Sequence, residues 1–228
     1  MGQKTNPVGL RLGINKTWAS NWFERKHFAE KLAEDLMLRR YLEKRLAKAR
    51  VARVIIERTL KQITVNIHTA SPGIVIGKRG VDVDKLRGEL RTLTGKDVQI
   101  NVLEIKVPEL EAALVADNLA QQLAGRVSFR RAMKRTYQAT RRMGAEGIKI
   151  TCKGRLGGAE MARTETYKDG RIPLHTLRAD IDYALRVSHT PMGTVGIKVW
   201  ICKGEILDKS EIPKKEPRRK DTRRKGRK

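Results

Sequence analysis

Residues 73–80 read Gly73-Ile74-Val75-Ile76-Gly77-Lys78-Arg79-Gly80, an apolar run ending in a turn that holds two cations between two glycines. Glycine reaches backbone conformations other residues avoid, so the chain can reverse tightly here and bring its main chain close to a strand of nucleic acid. The residues after the turn narrow the fold. Val83, Leu86, Leu90 and Leu93 recur at spacings of three and four, the pattern of a helix with one apolar face that starts at the turn. A Gly-x-x-Gly recurs by chance in many chains, so its meaning here depends on the elements around it.

Those elements are regular. Leu38, Tyr41, Leu42 and Leu46 form a helical stripe, and Val54-Ile55-Ile56 is a strand-forming run. Ile63, Val65 and Ile67 then alternate with Thr64, Asn66 and His68; beyond the turn and its helix, Gly95 stops the chain and Val98, Ile100 and Val102 alternate again. The order helix, strand, strand, helix, loop, helix, strand over residues 38–107 predicts a type II KH RNA-binding domain, with Gly77, Lys78, Arg79 and Gly80 as its RNA-binding loop. Residues 1–37 precede it as an N-terminal arm. Trp18, Trp22, Phe23 and Phe28 lie there, and their expected role is to pin the arm to the body, with Lys4, Arg11 and Lys16 free to touch phosphate.

Pro108 closes this unit and suits the first turn of a new helix, with Glu109 and Glu111 at its positive end. A helical region to about residue 143, broken at Gly125, precedes β-rich sequence in which Ile148, Ile150 and Cys152 alternate, as do Val195, Ile197, Val199 and Ile201. Turns are expected at Lys168-Asp169-Gly170 and at Met192-Gly193. Residues 108–207 therefore read as a second α+β domain, two helices packed on an antiparallel sheet, and the whole chain as α+β. Residues 208–228 hold 11 basic and four acidic residues and almost nothing apolar, the composition of a disordered basic C-terminal tail.

Charge sets the class of partner. With 50 Lys plus Arg against 25 Asp plus Glu the formal charge is +25, which implies a polyanion, and the 4% of aromatic residues favours recognition of backbone and shape over base stacking. The excess is concentrated in Arg126, Arg130, Arg131, Lys134, Arg135, Arg141 and Arg142, seven cations within 17 residues that include no acid. At about 100° per residue they occupy half of a helical wheel, while Phe129, Ala132, Met133 and Met143 occupy the other half. A merely solvated face carries interspersed acids that relieve repulsion. A membrane-surface helix is the other reading, weakened by the short apolar face, which fits packing on a sheet. The glycine-rich stretch 154–163 has neither dinucleotide nor P-loop spacing; it reads as a bulge or tight turn presenting Arg155 and Arg163. Arg178 is the last candidate RNA contact.

Catalytic and metal signatures are missing. His27, His68, His175 and His189 stand in unrelated contexts, and Asp180 with Asp182 reads as a pair answering arginines rather than holding a metal. Cys152 and Cys202, in apolar strand-like runs, read as buried free thiols. No stretch has the roughly 18 apolar residues of a membrane span, and the amino terminus lacks an apolar signal region, so the expected setting is intracellular, with no membrane, small-molecule substrate or cofactor.

Longer motifs add a family resemblance. Met1-Gly-Gln-Lys-Thr-Asn-Pro-Val-Gly-Leu-Arg-Leu-Gly13, Pro72–Gly80, Phe129-Arg-Arg-Ala-Met-Lys-Arg135, Gly154–Glu165, Pro173–Tyr183 and Gly196–Glu205 occur in the order in which they stand in the bacterial or organellar small-subunit ribosomal protein number three. The chain resembles that family up to about residue 207. The resemblance implies a structural, non-enzymatic role in translation, in the cytoplasm on the ribosome. It further implies binding of ribosomal RNA in the small-subunit head, beside neighbouring head proteins, and a place at the mRNA entry site, where Arg130, Arg131 and Lys134 would meet incoming mRNA. A free-standing KH regulator of mRNA and a nuclease or lyase acting on nucleic acid are the rival readings, the first a binding protein and the second an enzyme.

Overall fold

The computed structural model describes residues 4–59 and 62–207; the expected tail, 208–228, lies outside the described residues. After a short helix α1 (Pro7–Leu10) and strand β1 (Ser20–Asn21) come α2 (Phe28–Arg45), β2 (Val51–Arg58), β3 (Gln62–Thr69), α3 (Pro72–Ile76), α4 (Val81–Thr94) and β4 (Asp97–Glu104). The expected order of elements in the KH unit is the observed one. Its sheet runs β1-β2-β3-β4, with β2 and β3 antiparallel and β3 and β4 parallel, and the helices α2 and α4 bury Leu38, Leu42, Leu86 and Leu90 against Ile63, Val65, Ile67, Val98 and Ile100. The alternation read from β3 and β4 is thus the sheet's core face.

Helix α2 starts at Phe28, ten residues before the apolar stripe that begins at Leu38. Its first turns carry an apolar stripe of their own, Phe28, Leu32 and Leu36, but these side chains stay exposed, so the stripe marks no core. Phe28-Ala-Glu-Lys-Leu-Ala-Glu-Asp-Leu-Met37 has neither glycine nor proline, however, and nothing stops the helix from extending back.

The second half holds α5 (Ala112–Ala124), α6 (Phe129–Arg142), β5 (Gly147–Gly154), β6 (Arg163–Gly170), β7 (Ala179–Thr190) and β8 (Gly193–Glu205), with sheet order β6-β5-β8-β7 and every neighbour antiparallel. Helices α5 and α6 cover one face and bury Leu119, Met133, Ile148, Ile150, Cys152, Val195, Ile197, Val199 and Ile201 there. Both thiols are free and buried; burial pushes Cys152 up to about 12, which suits an inert core residue.

Three sequence expectations change here. Pro108 opens only a single 3₁₀ turn, and α5 starts at Ala112, whose N–H donates to the Asp182 carboxylate of β7 at 2.7 Å. Lys168-Asp169-Gly170 is no turn but the end of β6, paired with β5. Gly170 (φ +74°) is there because a Cβ would lie 2.2 Å from the Glu146 carbonyl oxygen, a close backbone approach that only glycine permits. Among the described residues the Asp180–Asp182 pair forms no ion pair with an arginine, although Asp180 is near enough to Arg11 to favour its charge: Lys16 Nζ lies 2.5 Å from Asp180, and Asp182 holds the start of α5. Among the described residues no group of three His, Cys, Asp or Glu is placed to hold a metal, and no helix is long and apolar enough to cross a membrane.

The arm is held by polar groups more than by its aromatics. Arg11 is fully buried, and its guanidinium donates to the carbonyl oxygens of Ala179 (2.8 Å), Thr176 (2.8 Å), Pro7 (3.0 Å), Leu174 (3.1 Å) and Pro173 (3.3 Å). Asn15 adds a donor bond to Ala179 at 3.1 Å. These contacts close a small second core, Ala179, Ile181 and Cys202, at one end of the sheet face opposite the helices. Of the aromatics Trp22 is engaged, donating to Asp35 at 2.7 Å and packing on Phe28, while Trp18 and Phe23 are exposed. Since β1 pairs with β2 of the first sheet, one arm ties the two halves together. Arg11 and Lys16 are consequently occupied inside the protein and not free for phosphate.

Candidate nucleic-acid interface

The glycine loop takes its shape from three residues with positive φ and a carboxylate. Gly77 has φ +71° and ψ −175°, and a Cβ on it would lie 2.0 Å from Asp82 Oδ2, so no other residue fits that position. Arg79 itself is left-handed at φ +55°, an uncommon state for a residue with a side chain. Gly80 (φ +83°) then feeds the chain into α4, whose first turn carries Asp82 and Asp84, favourable at the positive helix end. Lys78 and Arg79 stand exposed at the apex and enter no ion pair among the described residues. Ile74, Ile76 and Val81 flank them with exposed apolar surface. Cations at the tip and apolar walls beside it can hold a phosphate strand and cover its sugars.

The second surface is α6. Phe129, Ala132, Met133 and Thr140 are buried against the sheet, and Arg126, Arg130, Arg131, Lys134, Arg135 and Arg142 all face solvent without an ion-pair partner among the described residues. Three members of the expected pattern depart from it. Arg126 precedes α6, in the link after α5, with φ +60°. Arg141 turns toward the chain that follows the helix, donating to the Ala145 and Glu146 carbonyl oxygens at 2.7 and 2.6 Å and standing 3.4 Å from Asp169, so it fixes the connection to β5 rather than joining the array. Met143 is exposed because the helix ends at Arg142 and its rotation no longer applies. Phe129 is a shared platform: the guanidinium of Arg130 lies 5.7 Å and that of Arg163 5.3 Å from its ring centroid, which brings a β6 arginine to the start of α6. Sequence spacing has no way to show that juxtaposition.

The other two arginines are engaged elsewhere. Arg155 donates to the Ala159 carbonyl at 2.9 Å and to the Met192 carbonyl at 3.1 Å, tying the glycine-rich 154–159 turn to the β7–β8 hairpin. Arg178 donates to Glu205 at 2.5 Å, and this bond holds the Glu205 carboxyl below its ordinary range, with Arg171 at 2.8 Å adding to the effect. Arg155 is thus occupied by carbonyl oxygens and Arg178 by a carboxylate. Arg141 aside, the cations of α6 and of the loop have no ion-pair partner among the described residues.

Comparison with known proteins fits this division into a glycine-loop unit and a helix-on-sheet unit. The family model described as KH domain matches residues 37–110, and the model described as ribosomal protein S3, C-terminal domain, matches 119–201. A curated relative from Salinibacter ruber, small ribosomal subunit protein uS3, is 58% identical over 93% of this chain and 90% of its own length. The protein of that name from Rhodospirillum centenum is 58% identical over 91% of this chain and 92% of its own, and that from Magnetococcus marinus 54% over 92% and 100%. With identity above half along nearly the whole length, and both domain models in register with the two sheets, the chain belongs to the small ribosomal subunit protein uS3 family.

Proposed function

We propose that the chain binds ribosomal RNA in the head of the small subunit and forms one wall of the mRNA entry path, with α6 as the surface that meets incoming mRNA. As a ribosomal protein of this family it is a structural component of the ribosome acting in translation, not an enzyme. The observation that carries the finer reading is the solvent-facing array of Arg126, Arg130, Arg131, Lys134 and Arg135, joined through Phe129 by Arg163, which pairs with Glu165 at 3.7 Å; among the described residues no acid answers the other five to relieve their repulsion. A polyanion relieves it. Such cations hold phosphates without reading sequence, which suits a path that must accept every message. The work of melting mRNA structure falls to translocation, and fixed cations need only keep hold of the separated strand.

In the same reading the Gly77-Lys78-Arg79-Gly80 loop clamps an RNA backbone, while neighbouring head proteins and the cytoplasmic ribosome are the setting. The test is a reconstituted translation system with subunits carrying Arg130→Ala, Arg131→Ala and Lys134→Ala together. Assembly should proceed and unstructured messages should be read normally, whereas messages with a stable hairpin in the coding region should slow several-fold. Equal rates on both kinds of message would remove α6 from the entry path.

A further inference from the structure

The helices cover only one face of the second sheet, and the composition of the other face stands apart. The register places Lys168, Lys149, Trp200 and Tyr183 in one row across β6, β5, β8 and β7; Thr166, Thr151, Lys198 and Leu185 in the next; and Thr164, Lys153, Gly196 and Val187 in the third. The row beyond Trp200 and Tyr183 is closed by Ile181 and Cys202 under the arm, so the lysine rows begin where the covered part of the face ends.

Four of these twelve positions are lysines and none is acidic, and no lysine of the four is in an ion pair among the described residues. Lys149 and Lys168 are direct cross-strand partners, with Cβ atoms about 5 Å apart, an arrangement that destabilises a sheet when nothing neutralises it. Lys4 of the arm adds a third ammonium close by. Partial burial is the main cause lowering the Lys149 pKa, and Lys4 and Lys168 lower it further, which marks a cluster of cations with no counter-charge.

We infer that this open sheet face is a further RNA-binding surface, taking phosphates of an RNA backbone on Lys149, Lys168, Lys198 and Lys153. Deepening the RNA-binding role proposed above, it assigns that role to a surface separate from both the loop and α6. Charge decides the partner's class, because lysines are depleted from the buried centres of protein–protein interfaces and serve well as point charges for phosphate. Recognition is of backbone rather than bases. Lys149 Nζ sits 5.1 Å over the Trp200 ring, so the one large aromatic surface is already covered, and the paired hydroxyls of Thr151 and Thr166, 3.1 Å apart, offer further donors to phosphate oxygens. The exposed Leu185 and Val187 on the outer strand form an apolar margin to the surface.

The experiment uses full-length protein and a 20-base-pair RNA duplex of arbitrary sequence, with lysine acetylation read by mass spectrometry and affinity measured across salt. Acetylation of Lys149, Lys168 and Lys198 should slow several-fold in the complex. The variant carrying K149Q, K168Q and K198Q should keep the wild-type melting temperature and lose about 2 to 3 units of log–log salt slope, at roughly 0.7 to 0.9 per phosphate. The same three positions changed to arginine should retain the slope. Lysines that acetylate equally fast with and without saturating duplex, together with an unchanged slope, would overturn the proposal. So would lysines left reactive in the duplex complex but protected in assembled small subunits, which would give the face to a protein neighbour. Wild-type protein that fails to bind the duplex even at low salt would instead bring down the general RNA-binding reading, and this surface with it.

Discussion

A guanidinium with no exposed surface fixes the arm to the second half of this molecule. Arg11 donates to five carbonyl oxygens, three of them in the 173–176 loop; truncating it would take a donor from each, leaving Ala179, Thr176 and Pro173 with the bonds from Asn15, Ala179 N–H and Thr176 N–H. Arg11→Ala should therefore cost about 2 to 4 kcal/mol in urea denaturation. It should also expose residues 4–22 to limited proteolysis before the rest of the chain. Unchanged protease resistance of the arm would show that β1 alone keeps it in place. Asp182 gives a second residue-level outcome. Burial raises its pKa above 3.8, nearby Glu111 raises it further, and Lys203 opposes them. The native state then holds a proton that the unfolded chain has released, so the contribution of this group to stability falls as pH rises from about 4 through the raised native value. Asparagine keeps the oxygen that receives the Ala112 N–H but does not ionise. The stability of Asp182→Asn relative to wild type should accordingly increase between about pH 4 and pH 7, and a constant difference would mean that the carboxylate is not the source.

At the scale of elements, what local periodicity controls is legible in the sequence and what distant partners control is not. Strands β3, β4, β5 and β8 announce themselves because each has one buried face and a period of two, and α4 and α6 because their apolar stripes are confined to one side. The start of α2 reads as part of the arm because its stripe of Phe28, Leu32 and Leu36 stays exposed and packs on neither sheet. Arg11 is misleading because its acceptors in the second half lie more than 160 residues away in sequence, and an arginine in a polar arm looks like a surface cation until the loop that buries it is in place. Arg163 joins α6 only through a ring that both elements share. The exposed loop between α3 and α4 is legible because its geometry is local, and it carries a prediction of its own. Replacing Lys78 and Arg79 with Asp should weaken RNA binding at moderate salt, with the melting temperature little changed since neither side chain has an ion pair to lose among the described residues. Wild-type affinity in that variant would exclude the loop as an RNA surface.

For the whole molecule the controlling quantity is the excess of cations. Of the formal +25, residues 208–228 contribute +7, from 11 basic and four acidic residues, which leaves +18 on residues 1–207. If half of the tail's excess neutralises phosphate, truncation after residue 207 should flatten the log–log salt slope by about 2 to 3 units and weaken binding most at low salt. Thermal stability should hold, because all three cores lie within residues 38–202. An unchanged slope would mean that the tail's charge serves solubility alone. The two folded halves, fixed to each other by the arm, present the cations of α6, the glycine loop and the open sheet face as three separate surfaces, and of these α6 is the one assigned to mRNA. Photo-crosslinking decides that assignment most directly. Small subunits programmed with an mRNA carrying a photoreactive nucleotide at successive positions downstream of the decoding site should crosslink, over a narrow window of positions, to the peptide spanning Arg126–Arg135. Crosslinks absent from that peptide at every position, while other proteins of the subunit are labelled, would contradict the account.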